Sequence, residues 1–238
     1  MDSLYIVIPA YNEAENIKSV IDDWYPIVEA YNGNGKSRLV IVNDGSKDDT
    51  YGILCQYAKD RPLLCPLDKE NGGHGDTVLF GYQYALDNGA DYIFQTDSDG
   101  QTLAVEFPPF WEQRKEYDML IGYRNQRQDG LSRKIVTRVL RLAVRVCFGV
   151  KVQDANTPFR LMGSGSLKGI VADIPKHYNL ANVIVSVLYE KRGMRTKYIP
   201  ITFRPRQGGV NSINIPKIFG IGKRAVRDFR ILNQTMRK

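Results

Sequence analysis

The fold prediction starts from the stretch DYIFQTDSDGQ, residues 91–101. Its first part, 91–97, is rich in the aromatic and β-branched residues typical of strands, so we predict a strand there. Asp97 and Asp99 close this run, and Gly100 frees the backbone to turn after them. Because two neighbouring carboxylates repel each other unless a cation joins them, the pattern predicts a divalent metal ion at the end of this strand.

Other apolar runs alternate with helical patterns through the first half of the chain. Further strands are predicted at 4–9, 38–44, 62–67 and 118–123, with helices near 13–30, 48–60, 74–88 and 104–116. We expect Asn12 to begin the first helix, and Ser46 or Asp48 to cap the second. Such alternation predicts an α/β fold with a mainly parallel sheet and helices on both faces. Its ligands are expected beyond the carboxyl ends of the strands.

The charge is divided unevenly along the chain. Residues 1–123 hold 9 Lys and Arg against 21 Asp and Glu, whereas residues 124–238 hold 24 against 5. This asymmetry predicts that the second half meets a polyanion, which leaves nucleic acid, anionic lipid and phosphorylated substrates open.

The basic residues of the second half are concentrated in two amphipathic stretches, 132–148 and 216–232. In the first, basic residues recur at helical spacing: Lys134, Arg138, Arg141 and Arg145. An adjacent apolar face carries Ile135, Val139, Leu142 and Val146. A helix of this kind lies in a membrane interface or packs on the core with a charged outer face, and we favour an anionic membrane surface. The loop at 124–130 is expected to be mobile.

Length and composition limit the class of protein. A chain of 238 residues with 43% hydrophobic residues fits one large α/β domain better than two small ones. No apolar run approaches the roughly 20 residues needed to span a bilayer, and the first residues do not form a signal peptide. Three cysteines without metal-like spacing indicate reduced thiols in a cytoplasmic protein: Cys55, Cys65 and Cys147.

Four motifs occur in the order and spacing seen in family 2 glycosyltransferases, and the chain resembles that family over roughly residues 4–215. They are IPAYNEAENI (8–17), VNDGSKDDT (42–50), NGGHG (71–75) and TDSDGQ (96–101). Within the family the chain is most similar to the dolichol- or polyprenyl-phosphate sugar transferases. That similarity lies in QDANTPFRLM (153–162) and FRPRQGGVNSI (203–213).

The resemblance implies a GT-A-type fold over 1–215, with a nucleotide-sugar-binding half at 1–123 and an acceptor half at 124–215. The basic segment 216–238 would follow it. The implied activity is an inverting, Mg²⁺- or Mn²⁺-dependent transfer of a sugar from a UDP- or GDP-linked donor to a polyprenyl phosphate. The implied place is the cytoplasmic face of a membrane, with peripheral attachment and a possible membrane-protein partner.

The resemblance also implies roles for individual residues. The residues expected to bind the donor are Pro9, Tyr11, Glu13, Asp44, Gly73 and Asp97. Those expected to bind the metal ion are Asp97, Asp99 and Gln101. The residues expected to bind the acceptor phosphate are Arg124, Arg133, Arg206 and Ser212. Chemically, Tyr11 is suited to stack on a nucleobase, Glu13 to accept from ribose or base, and Asp44 to accept from a base N–H. Simpler alternatives are that Glu13 only opens a helix and that Asp44 only forms a turn.

Asp154 completes the candidate catalytic set with Asp97 and Asp99. A sugar hydroxyl acceptor needs a base, and Asp154 is the candidate for that second enzymatic interpretation. A phosphate acceptor is already anionic, so Asp154 would then orient the acceptor or pair with an arginine such as Arg160. A third interpretation is a nucleic-acid-binding protein. It explains neither the two aspartates nor the polar residues predicted at the carboxyl ends of the strands, so we expect no nucleic-acid partner.

Three positions depart from the resembled pattern. His74 and Asp76 stand where the family often has Lys and Ala, and Ile213 stands where it often has Lys. We expect His74, as an isolated loop histidine, to be solvated rather than catalytic.

Overall fold

Seven strands form one sheet in the part of the chain that the structure, a computed structural model, describes: residues 1–124, 131–204 and 229, with only the backbone at 124 and 131–139. The strands are β1 (Leu4–Ala10), β2 (Arg38–Asp44), β3 (Leu64–Lys69), β4 (Tyr92–Gln95), β5 (Met119–Arg124), β6 (Arg160–Gly163) and β7 (Thr196–Ile201). Their order across the sheet is β3-β2-β1-β4-β6-β5-β7.

Most neighbouring strands are parallel, as predicted. β1 pairs in parallel with β2 and β4, β2 with β3, and β5 with β7. β6 is antiparallel to both β4 and β5. The residues before Arg160 therefore reach the same edge of the sheet as the carboxyl ends of the parallel strands. Neither β6 nor β7 was predicted from the sequence.

Helices cover both faces of the sheet. They are α1 (Ile17–Ala30), α2 (Thr50–Ala58), α3 (His74–Asp87), α4 (Pro108–Glu112), α5 (Leu131–Phe148), α6 (Ser164–Ala172) and α7 (Ala181–Lys191). β1 is buried along its whole length, and alternate residues serve the two faces. Ile6 and Ile8 pack with α1, whereas Tyr5 and Val7 pack with α3. Because these parallel strands are buried on both faces, they appear in the sequence as continuous runs of apolar residues.

Two predicted helices are wrong at their boundaries. The first begins at Ile17 rather than near Asn12, because Asn12 adopts a left-handed backbone with φ 54° and its amide bonds Ser46. The helix expected at 104–116 is a 3-10 helix at Ala104–Glu106 followed by the short α4. Its first residues, Pro108 and Pro109, have no amide hydrogen to continue the preceding turn.

The caps expected for α2 are also partly wrong. The Ser46 hydroxyl accepts from the amide of Asn12 and bonds Asn43, so it joins two loops instead of capping the helix. Asp48 does accept from the amide of Thr50, the first residue of α2, at 3.1 Å. Its other carboxylate oxygen accepts from the amide of Ala14 at 3.1 Å. The loops after β1 and β2 are therefore fastened to each other.

Candidate active site

Asp44, the last residue of β2, organises the glycine-rich turn that precedes α3. Its carboxylate accepts from the amides of Gly72 and Gly73, both at 2.9 Å, and from Nζ of Lys69 at 2.9 Å. Its carbonyl accepts from the side chain of Asn71 at 2.8 Å. Asp44 thus does more than form the turn of its own NDG sequence, because it holds a second loop in place.

The charges around Asp44 are compensated inside the protein. Burial alone would raise the pKa of Asp44, but the hydrogen bonds from Lys69 and the Gly72 amide outweigh it, so the pKa is lowered. Lys69 also contacts Asp76 at 2.9 Å, and Asp76 contacts Nδ1 of His177 at 3.0 Å. Burial would lower the pKa of Lys69, but its bonds to the two aspartates raise it. The turn therefore rests on an ionic network that keeps Asp44 ionised.

Two glycines of this turn are required by geometry. Gly73 has φ 86°, a left-handed backbone that side chains disfavour. A Cβ on Gly75 would lie 2.3 Å from the carbonyl oxygen of Tyr178 and 2.4 Å from that of Asn179. The first turn of α3 is thus in close contact with the segment that leads into α7, and residues from both halves of the chain meet at this edge.

The two predicted aspartates lie on a closed loop beyond β4. The strand ends at Gln95 instead of 97, and the hydroxyls of Thr96 and Thr102 meet at 2.6 Å across the base of the loop. Asp99 accepts from the amide of Gln101 at 3.2 Å. Asp97 keeps 27% of its side chain exposed, so the loop presents a carboxylate at the carboxyl edge of the sheet, where the sequence predicted it.

His74 is partly solvated, as expected, but it also contacts Asp97, which was not predicted. Its Nε2 lies 2.9 Å from Oδ1 of Asp97, and 47% of its side chain is exposed. Its partial burial would lower the pKa of His74, but the charge and the hydrogen bond of Asp97 outweigh that effect and raise the pKa. Sequence reasoning missed this contact. The available signal was the position of His74 directly after Gly73, at the start of the helix that faces the aspartates.

Gln101 connects the aspartate loop to the chain after β7. Its side-chain nitrogen donates to the carbonyl of Arg204 at 2.9 Å, and its own carbonyl accepts from the amide of Arg204 at 2.8 Å. The Gln101 side chain is thus held beside the loop by its nitrogen.

The loop after β1 places an aromatic ring at the same edge. Tyr11 has 43% of its surface exposed, whereas Pro9 lies within β1 and is buried. Glu13 is buried as well, and its carboxylate accepts from the side chain of Asn16 at 2.8 Å. Its amide donates to Oγ1 of Thr50 at 2.9 Å. Of these predicted donor contacts, Tyr11 is the one whose side chain is most open to a ligand.

Asp154 lies in the loop before β6 and keeps only 3% of its surface exposed. Arg160 nearby is fully buried, and its guanidinium donates to four neutral oxygens: the carbonyls of Ala155, Thr157 and Asn182 and the hydroxyl of Ser186. Burial lowers the pKa of Arg160, while the charges of Asp154 and Asp97 favour its ionised form. Arg160 is thus a buried cation whose charge interacts with both candidate carboxylates.

The predicted acceptor residues are only partly covered by the structure. Arg124 ends β5 and Arg133 lies in the first turn of α5, both described by backbone alone. Arg206, Ser212 and all of the helix predicted at 216–232 except the buried, helical Phe229 lie outside the described residues, as does most of the loop at 124–130.

The described part of α5 exposes apolar and basic side chains together. Val144 and Phe148 are buried, but Leu142 is 63% exposed and Val146 is 69% exposed. Arg141 and Arg145 are exposed as well. The predicted apolar face therefore does not pack on the core at Leu142 and Val146.

Two kinds of feature are absent from the described residues. No three or more His, Cys, Asp or Glu side chains there are arranged to hold a metal ion by themselves. Within the same ranges, no helix has the length and apolar character needed to cross a membrane.

Comparisons with known proteins bear on the family and the fold of the chain. The model of the family described as Glycosyl transferase family 2 matches residues 5–234. The undecaprenyl-phosphate 4-deoxy-4-formamido-L-arabinose transferase of Pectobacterium carotovorum is 24% identical over 220 residues, covering 91% of this chain and 64% of the relative. The protein of the same name from Edwardsiella ictaluri is 24% identical over 221 residues, with the same two coverages. The chain thus spans less than two thirds of the length of these relatives.

Solved structures share the fold at lower identity. Glucosyl-3-phosphoglycerate synthase from Mycobacterium tuberculosis, in complex with Mn²⁺, UDP-glucose and phosphoglyceric acid, superposes with a TM-score of 0.68 at 17% identity. That match covers 98% of this chain and 79% of the other. S. aureus TarS gives a TM-score of 0.60 at 15% identity, covering 95% and 65%. The expected GT-A-type α/β fold is confirmed.

Proposed function

The chain belongs to glycosyltransferase family 2 and is a glycosyltransferase, and we propose that it moves a sugar from a UDP- or GDP-linked donor to a polyprenyl phosphate. The observation that carries this proposal is the meeting of the Asp97–Asp99 loop with the glycine-rich turn, through the 2.9 Å contact between Asp97 and His74. The names of the curated relatives, which refer to undecaprenyl phosphate, support the acceptor class.

The residues at this edge fit a divalent cation that is shared with the substrate. Asp97 and Asp99 supply oxygen ligands, and Gln101 lies beside them. Mg²⁺ and Mn²⁺ commonly bind one or two carboxylates and take their remaining ligands from substrate phosphates and water, so a cage made only of protein is not needed. When bound, such an ion supplies positive charge that offsets the charge developing on the departing diphosphate.

The donor lies across the carboxyl ends of β1, β2 and β4 in this proposal. Tyr11, exposed after β1, stacks on the base. Asp44 acts by fixing the Gly72–Gly73 turn, which lets the backbone come close to the donor. Glu13 and Pro9 shape the same edge from buried positions.

The reaction proceeds with inversion in this proposal. An oxygen of the acceptor phosphate attacks the anomeric carbon and forms the new C–O bond. The bond between that carbon and the nucleoside diphosphate breaks on the opposite face, and the diphosphate leaves with the electron pair. Because the acceptor phosphate is already anionic at neutral pH, the reaction depends on positioning and charge compensation and needs no base.

The surroundings of Asp154 favour the phosphate acceptor over a hydroxyl acceptor. A base has to reach the proton that it removes. Asp154 exposes only 3% of its surface and lies near the buried Arg160 cation, an arrangement suited to holding the loop rather than to collecting a proton. The acceptor phosphate is assigned to Arg124, Arg133, Arg206 and Ser212, since guanidinium groups bind phosphate with bidentate geometry.

The exposed face of α5 supports action at an anionic membrane surface on the cytoplasmic side. Leu142 and Val146 are available to enter the interface, with Arg141 and Arg145 beside them. Helices that combine these features lie in the plane of the interface, and each basic residue near an anionic surface contributes about 1 kcal/mol. Peripheral attachment of this kind brings the site to a lipid acceptor.

An acceptor assay tests the proposal. The full chain is incubated with Mn²⁺, a panel of UDP- and GDP-sugars and undecaprenyl phosphate in detergent, and the lipid product is detected by mass spectrometry. We expect a glycosyl monophosphate lipid, lost in Asp99→Asn and kept in Asp60→Asn. Asp60 has an exposed carboxylate just after the end of α2 and is not part of the aspartate loop. Transfer to oligosaccharide hydroxyls without any lipid product would overturn the proposed acceptor.

A further inference from the structure

An exposed side-chain amide from the second half of the chain lies beside the glycine-rich turn. Asn179 comes just before α7, and a Cβ placed on Gly73 would lie 3.3 Å from its Oδ1. The backbone carbonyl of Asn179 also packs against the first turn of α3, since a Cβ placed on Gly75 would lie 2.4 Å from its oxygen. The backbone of Asn179 is therefore in close contact with the turn, and its side chain is placed next to it.

The side chain of Asn179 is available to a ligand. Asn179 is exposed, and among the described residues its amide has no hydrogen-bond partner. The charged groups of the turn, in contrast, are paired with one another: Lys69 contacts Asp44 and Asp76, and Asp76 contacts His177. A neutral amide, which both donates and accepts hydrogen bonds, is thus left available beside the turn.

A second asparagine, in the first turn of α7, has an unmet hydrogen bond. Asn182 is only 5% exposed, and its Oδ1 is buried without a partner in the described part of the chain. Buried polar atoms are nearly always satisfied by protein, ordered water or ligand, so this oxygen calls for a donor from outside the described residues. The start of α7 therefore presents two side-chain amides within four residues, one exposed and one buried.

The strand order directs the sugar of the donor toward this end of α7. Tyr11 follows β1 and Asp97 follows the neighbouring β4, while β6 lies on the other side of β4. A donor with its base at Tyr11 and its diphosphate at Asp97 therefore extends its sugar toward β6. Arg160, the first residue of β6, donates to the carbonyl of Asn182 at 2.9 Å, so the start of α7 lies in that direction.

From this geometry we propose that Asn179 binds hydroxyl groups of the donor sugar and determines which sugar is accepted. The inference rests on the proposed function, because it needs the diphosphate at the Asp97–Asp99 loop. It deepens that function by naming the class of sugar, which is a neutral sugar with free hydroxyls on the side that faces the glycine-rich turn. A side chain that hydrogen-bonds a substrate hydroxyl discriminates against an analogue that lacks it.

The chain offers a clean variant and a matched control. The atoms nearest to a Cβ on Gly75 are backbone atoms of residues 178 and 179, so Asn179→Ala keeps this packing and removes the amide. Gln56 lies near the C-terminal end of α2, is exposed, and likewise has a side-chain amide without a partner in the described ranges. Gln56→Ala therefore removes an equally free amide at another place on the molecule.

Isothermal titration calorimetry of the full chain with Mn²⁺ tests the inference, using UDP, GDP, UDP-glucose, UDP-galactose and GDP-mannose as ligands. We expect Asn179→Ala to lower the affinity for the best-bound nucleotide sugar about fivefold, and to change the affinity for the matching diphosphate less than about twofold. Gln56→Ala should match the wild-type chain with both ligands.

Deoxy analogues of the best-bound nucleotide sugar, each lacking one hydroxyl, identify the group that is bound. The analogue without the bonded hydroxyl should bind the wild-type chain about fivefold more weakly than the parent nucleotide sugar. It should bind Asn179→Ala as well as the parent does, because that chain has no amide to lose a partner. A purely structural role of Asn179 would not produce this difference.

The outcomes separate this inference from the proposed function. Equal binding of the nucleotide sugars by Asn179→Ala and the wild-type chain would overturn the role of Asn179 and leave the proposed function in place. So would an equal loss of affinity for diphosphate and nucleotide sugar, because Asn179 would then shape the turn without contacting the sugar. Diphosphates that bind the wild-type chain with no gain from any sugar would also overturn the inference alone. A wild-type chain that binds none of the five ligands would overturn both.

Discussion

Gln95 and Arg160 are register partners in the antiparallel strands β4 and β6. Gln95 is the last residue of the strand that leads into the aspartate loop, and Arg160 is the first residue after the loop that carries Asp154. This single pairing fixes the two candidate carboxylate loops relative to each other. Since Arg160 is fully buried and donates to four separate oxygens, it is also the residue that holds the second loop together.

Replacing Arg160 by Met should destabilise the fold severely. The substitution leaves several buried carbonyls without donors and removes the cation near Asp154 and Asp97, so we expect a loss of about 3 kcal/mol or more in the free energy of unfolding. Urea denaturation followed by circular dichroism measures it. Arg145→Met, at an exposed position of α5, should change stability by less than about 0.5 kcal/mol. Equal stability of the two variants would contradict the role given to Arg160.

Asp44→Asn should destabilise the chain in a way that depends on pH. The folded-state pKa of Asp44 is lowered, so its contribution is complete above the unfolded pKa and is lost as the pH falls through the folded value. We expect a deficit of about 2 kcal/mol at pH 7 that shrinks as the pH drops below about 4.

Urea midpoints of the wild-type and Asp44→Asn chains between pH 3 and pH 7 test this expectation, with exposed Asp60→Asn as the control. A deficit that stays constant over this range would show that the charge of Asp44 is not what stabilises the turn.

Two glycines at equivalent places in their helices should respond oppositely to alanine. Gly75 is the second residue of α3 and Gly165 the second residue of α6. A Cβ at 75 meets backbone atoms of Tyr178 and Asn179 at 2.3–2.5 Å, so Gly75→Ala should cost about 2 kcal/mol and weaken donor binding. A Cβ at 165 meets nothing within 4 Å, so Gly165→Ala should be neutral or stabilise by up to about 1 kcal/mol. Thermal unfolding with and without UDP and Mn²⁺ measures both effects, and a Gly75→Ala chain as stable as Gly165→Ala would refute the close contact.

Removing the exposed apolar residues of α5 should weaken attachment to anionic membranes. We expect Leu142→Ser combined with Val146→Ser to lower binding to phosphatidylglycerol-containing vesicles about tenfold, because each side chain loses its apolar burial in the interface. Val105→Ser, at a position that is 79% exposed and lies on the 3-10 helix, serves as the matched control. Co-sedimentation that is unchanged in the double variant would mean that α5 does not face the membrane.

The parts of the fold that sequence reasoning predicted are those with strong local patterns. β1 and β2 are uninterrupted apolar runs buried on both faces, and their limits were predicted to within one residue. β6 has only four residues, and β7 contains the charged Lys197 and is mostly half-buried, so neither gives a periodic signal. α7 is buried nearly all round, and an apolar run without periodicity does not distinguish a helix from a strand.

The site shows the same division between local and long-range information. The strand-end positions of Asp44, Asp97 and Tyr11 follow from where apolar runs stop. The contact of His74 with Asp97 joins residues 23 apart in sequence, and the bonds from Gly72 and Gly73 to Asp44 join residues 28 and 29 apart. Such contacts depend on which strands become neighbours, which is a property of the whole sheet and not of any short segment.

In the proposed function, a divalent cation bound at Asp97 and Asp99 holds the diphosphate of the donor. Crystals of the full chain grown with Mn²⁺ and UDP or GDP test it directly through the anomalous scattering of manganese. We predict an anomalous peak within coordination distance of Asp99 and of the diphosphate oxygens, at the carboxyl ends of β1 and β4. A nucleotide bound in that place with no manganese between it and the aspartates would contradict this role of the cation.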